Sequence, residues 1–111
     1  MRFFFLLLIT MAPIIALECF FKNEFQEDTT YGNKTACTVV VELDDGIVTL
    51  GGLERDPLQV PLFQDAQELN RDCAPVKEMN STFLCFCLED LCNKEISIQD
   101  FEKNDYSLVS K

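Results

Sequence analysis

The chain of 111 residues has no histidine. That absence removes the commonest general base and every histidine-dependent triad or dyad. No Cys-x-x-Cys pair is present, so the usual setting of a low-pKa redox thiolate is missing too. Cations are scarce: nine Lys and Arg stand against nineteen Asp and Glu, a net charge of −10. Such a balance disfavours nucleic acid and anionic membrane surfaces, whose phosphates repel it. It permits a cationic protein partner, and it also serves plain solubility. There is no internal repeat and no low-complexity tract. Adjacent carboxylates do occur, at Asp44-Asp45 and Glu89-Asp90. Neighbours in a strand point apart, however, and no second domain forms a cleft for glycosidase chemistry. The expectation is a protein that is not an enzyme and that uses no cofactor.

What is present begins with Met1-Arg2 and the run FFFLLLITMAPIIAL at residues 3–17, apolar apart from Thr10. The run is short for a membrane span, which takes roughly 20 residues. With Ala16 as a small residue for cleavage, residues 1–16 read as a signal peptide, and an uncleaved anchor is the rival reading. The mature chain then starts at Leu17 with a charge of −11, since Arg2 is lost. After Asn93, residues 94–111 mix charges with scattered apolar side chains. Ile96, Ile98 and Phe101 could dock on the domain, but a mobile tail is the expectation. The tail lacks the terminal apolar stretch of roughly 10 to 20 residues that a lipid-anchor signal requires. Together these features predict a freely secreted, extracellular product with no membrane span.

Two sequons, Asn33-Lys34-Thr35 and Asn80-Ser81-Thr82, lack a central proline and are legal glycosylation acceptors in a secretory chain. If used, they mark both segments as facing solvent.

Residues 37–50, CTVVVELDDGIVTL, are rich in β-branched side chains on either side of Asp45-Gly46, a strong hairpin-turn signal. Alternation puts Val39, Val41 and Leu43 on one face and Thr38, Val40 and Glu42 on the other. Its acidic tip lacks the oxygens that calcium needs, so a solvated turn is the safer reading there. Further on, Pro57 and Pro61 break strand structure. Residues 62–71 then space Leu62, Ala66 and Leu69 as one face of a short helix, with Pro61 in its first turn. A further strand pair is expected around the loop at 77–81.

All six cysteines, Cys19, Cys37, Cys73, Cys85, Cys87 and Cys92, follow the signal segment. An even count in a short secreted chain argues for disulfides, because a core this small needs covalent help. Zinc at Cys73, Cys85, Cys87 and Cys92 would lack paired knuckles and any histidine, so no metal is expected. Six cysteines allow 15 pairings. Cys85 and Cys87 point the same way in a strand, so each needs its own partner. Cys87 and Cys92 can close a tight loop. Cys73 with Cys85, and Cys19 with Cys37, can each bracket a hairpin.

The closing run Cys87-Leu88-Glu89-Asp90-Leu91-Cys92-Asn93 resembles the ending signature of the three-finger superfamily. That group includes lymphocyte-antigen-six/urokinase-receptor proteins, snake three-finger toxins and activin-type receptor ectodomains. Leu17-Glu18-Cys19-Phe20 looks like the family's opening, and Ala36-Cys37-Thr38-Val39-Val40 like the start of its central finger. The resemblance spans residues 17–93. It departs from the family in having six cysteines rather than the common ten, with Lys22 and Gly52-Leu53 standing near two lost positions. By this alignment two whole bridges are lost, and the pairs that remain are 19–37, 73–85 and 87–92.

The resemblance implies an all-β, disulfide-rich domain of three antiparallel hairpins, with fingers at 20–36, 38–52 and 74–84. It also implies a binding protein that modulates an extracellular receptor, channel or ligand. A peptide-like signal or toxin-like effector is the alternative. Glycans on Asn33 and Asn80 would shield the outer fingers, leaving the tip residues Glu42, Leu43, Asp44, Asp45 and Ile47 as the candidate surface for a partner with a cationic patch.

Overall fold

The structure is a computed structural model, and it describes residues 16–23, 26–79 and 81–109. Residues 1–15 of the expected signal segment lie outside the described residues, as does Asn80.

Six strands make one antiparallel sheet: β1 Leu17–Asn23, β2 Gln26–Lys34, β3 Ala36–Glu42, β4 Ile47–Leu53, β5 Cys73–Pro75 and β6 Thr82–Cys87. Their spatial order is β2-β1-β4-β3-β6-β5. Consecutive strands pair as three hairpins, and the central one is joined to the third through β3 and β6. The β-branched run of β3 therefore sits between two partners, which is why Thr38, Val39 and Val41 are all buried. This is the small all-β, disulfide-rich domain that the sequence predicts.

The bridges are Cys19–Cys37, Cys73–Cys85 and Cys87–Cys92, with no cysteine left free. They tie β1 to β3, β5 to β6, and the end of β6 to the segment after it. In the chain-entropy model the two longer loops each contribute on the order of 2 to 3 kcal/mol.

The central turn differs in detail from a two-residue Asp-Gly turn. Glu42 pairs with Ile47, leaving residues 43–46 as a four-residue loop closed by the Gly46 N–H donating to the Glu42 carbonyl at 2.9 Å. Gly46 takes φ +69°, a left-handed conformation that costs glycine nothing.

A 3-10 turn at Pro57–Gln59 leads into helix α1, Pro61–Glu68, with Pro61 in the first turn as expected. Its inward face is not Leu62, Ala66 and Leu69 but Phe63 and Ala66. The Phe63 ring packs edge-on against Phe86 at 5.1 Å between centroids. Leu69 lies past the last turn and is 59% exposed.

The expected mobile tail is corrected. Residues 98–103 form helix α2, Ile98–Lys103, whose N-cap Ser97 accepts from the Asp100 N–H at 3.0 Å. Phe101 is fully buried in the same cluster as Val39, Val41, Leu50, Cys73 and Cys85, with Ile96, Ile98 and Leu108 packed against it. Burying one Phe is worth roughly 1.5 to 3 kcal/mol, enough to hold so short a helix in place. Asp72 holds the following segment: its carboxylate accepts from Ser107 Oγ at 2.9 Å and from the Leu108 N–H at 3.0 Å. Arg71 donates to the carbonyls of Asp105 and Tyr106. The polar face of this segment had hidden an apolar anchor.

Candidate functional site

The end of the cysteine-rich stretch is an organising site. Asn93 follows Cys92 and is fully buried. Its Oδ1 accepts from the Phe20 N–H at 2.9 Å. Its Nδ2 donates to the carbonyls of Phe20 (2.9 Å), Thr38 (3.1 Å) and Gly51 (3.0 Å). One side chain thus joins β1, β3 and β4, and so ties the first hairpin to the second. Close by, Asp90 Oδ1 accepts from the Glu18 N–H at 2.9 Å and the Leu91 N–H donates to the Glu18 carbonyl at 2.7 Å. The sequence motif contained both residues; their buried bonding is what sequence reasoning missed.

The sulfurs of Cys37, Cys87 and Cys92 all lie within 4.8 Å of one another. Each is already bonded in a disulfide, so this cluster offers no thiolate to a metal.

That framework holds up the tip of the central hairpin, where the predicted partner-binding residues divide into two sets. Asp44 and Asp45 are exposed at the apex and form no ion pair among the described residues. Glu42, Leu43 and Ile47 are half-buried. Leu43 turns sideways: its N–H donates to the Ser81 carbonyl at 2.8 Å, and its side chain packs against the core cluster. The apex is accordingly acidic, and its apolar component faces the loop of the third hairpin.

Asn33 is exposed near the end of β2, with φ +60°. The neighbours of the second sequon asparagine, Met79 and Ser81, are exposed as well.

Resolved electrostatic shifts lie away from the tip. A hydrogen bond to Glu95 at 2.6 Å raises the Lys22 ammonium above its ordinary value, with Asp28 at 3.5 Å adding to the effect and desolvation opposing it. A hydrogen bond from Lys34 at 2.6 Å holds the Glu54 carboxyl below its ordinary value. Both pairs reach solvent and contribute little to stability. Among the described residues, no helix is long and apolar enough to cross a membrane.

No curated protein and no solved structure matches this chain. The family model of the EGAP4-like C-terminal domain matches residues 18–105, a stretch that takes in all six strands and α2. The chain belongs to the EGAP4-like C-terminal domain family.

Proposed function

We propose that this protein is a secreted, non-enzymatic binding protein of the three-finger type, acting on an extracellular receptor, channel or ligand through its hairpin tips. Three disulfide-tied hairpins, with β3 held between β4 and β6, support the three-finger reading. So do the Asp90 and Asn93 bonds that close the base of the domain onto β1. The observation that carries the functional reading is the pair of exposed carboxylates, Asp44 and Asp45, at the apex of the most firmly held hairpin. Charges fixed on a rigid tip steer a cationic partner and lose little entropy when it arrives. The absence of histidine from the sequence argues in the same direction, away from acid–base catalysis.

The test is an array of purified extracellular domains probed with the secreted protein, beside the same protein carrying Asp44→Asn and Asp45→Asn. Binding to a basic-surfaced domain that weakens in the double variant is the expected result. Binding that ignores both substitutions, or no binding to any member, would overturn the fingertip reading.

A further inference from the structure

Beside the acidic apex runs a groove between the tips of the second and third hairpins. Leu43, Val76, Met79, Phe83 and Tyr106 supply its apolar wall, and Lys77 is the one cation lining it. The wall is firmly backed. Tyr106 stacks on Phe83 at 5.1 Å with the rings 7° apart, and both rings meet buried Phe101 edge-on. The Tyr106 N–H donates to the Phe101 carbonyl at 2.8 Å. Met79, on the loop opposite, is 51% exposed, and its flexible thioether can adapt to an incoming side chain. Around this wall the charge is acidic. Asp44 and Asp45 adjoin Leu43 in the chain and Glu78 lies between Lys77 and Met79; all three are exposed, with no ion pair among the described residues. The chain as a whole carries −10.

We propose that this groove receives a protein segment presenting a bulky apolar side chain flanked by Lys or Arg. An apolar floor takes the side chain out of water, while a rim richer in carboxylates than in ammonium groups selects basic flanks and repels acidic ones. The inference rests on the fingertip reading and adds the apolar half of the contact, with the C-terminal segment supplying Tyr106 as part of the wall. Residues 43, 79 and 106 belong to three separate parts of the chain, so only the folded, oxidised protein has this surface.

The test uses the full secreted chain, 15N-labelled and carrying Asn80→Gln so that the sequon beside Ser81 bears no sugar. Three hexapeptides serve as probes: Lys-Arg-Phe-Leu-Lys-Arg, the same peptide with Ser replacing Phe and Leu, and the same with Glu replacing every basic residue. The first should give saturable amide shifts at Leu43, Val76, Phe83 and Tyr106, and the other two should not. Met79→Ser should weaken it several-fold with the spectrum otherwise unchanged. Asp44→Asn with Asp45→Asn should weaken it about fivefold at low salt, as expected for two rim charges. Shifts confined to residues 42–47 and indifferent to Met79→Ser would overturn the groove while leaving the fingertip reading standing. Equal binding of the Ser peptide, or no saturable shift with any peptide, would also overturn it, and the array then decides the fingertip reading separately.

Discussion

Phe20 and Asn93 exchange two hydrogen bonds, each 2.9 Å long, so the Asn93 side chain docks on β1 as a neighbouring strand would. The same amide also reaches the Thr38 and Gly51 carbonyls, so one buried group fixes the relation between the first two hairpins. Asn93→Ala would strip partners from several buried backbone groups at once. The expected loss is about 3 to 5 kcal/mol, read from the urea midpoint of the oxidised protein. A loss below about 1 kcal/mol would mean that these groups find other partners.

The C-terminal segment is part of the core, and Phe101 is its anchor. Phe101→Ala should cost about 3 to 5 kcal/mol, the usual range for a buried aromatic. Limited proteolysis offers a second reading: cleavage at Lys94 or Lys103 should be slow in the wild type and fast in the variant. Rapid cleavage of the wild type at Lys103 would restore the mobile tail.

Acid should release Glu54 late. Its carboxyl is held below the ordinary value of 4.5, first by the Lys34 hydrogen bond and then by the charge on that ammonium. The native state therefore binds fewer protons than the unfolded state in that range. The pair's contribution is full above the unfolded value and is lost as pH falls through the depressed one. Carbon-detected titration of Glu54 should show a midpoint below 4.5, and Lys34→Met should return it. An identical midpoint in the two proteins would contradict the contact.

Much of this architecture was legible in the sequence for local reasons. The central hairpin is written in a β-branched run around Asp45-Gly46, and the three bridges follow from spacing and strand direction. Pro61 marked the start of α1, but the face of that helix depended on where it stopped, and Leu69 falls beyond its end. The docked tail was hidden because Phe101 is its single fully buried side chain among many polar neighbours. Burial of that kind comes from the receiving sheet, which no local pattern in residues 94–111 records. Asn93 was hidden for a related reason: after a cysteine, an asparagine reads as turn chemistry, and its four partners are scattered from residue 20 to residue 51. Leu43 was assigned to the tip with Asp44, whereas the Ser81 carbonyl draws its backbone toward the third hairpin.

The central claim is that the acidic apex draws a cationic partner onto the hairpin tips, and association kinetics test it most directly. Surface plasmon resonance would compare the wild type with Asp44→Asn/Asp45→Asn against a domain captured on the extracellular array, across a range of salt. Asn-Gly keeps the turn chemistry, so the variant should fold and be secreted normally. Its association rate at low salt should fall about fivefold, its salt dependence should flatten, and its dissociation rate should change little. An association rate that is unchanged at low salt would contradict the account.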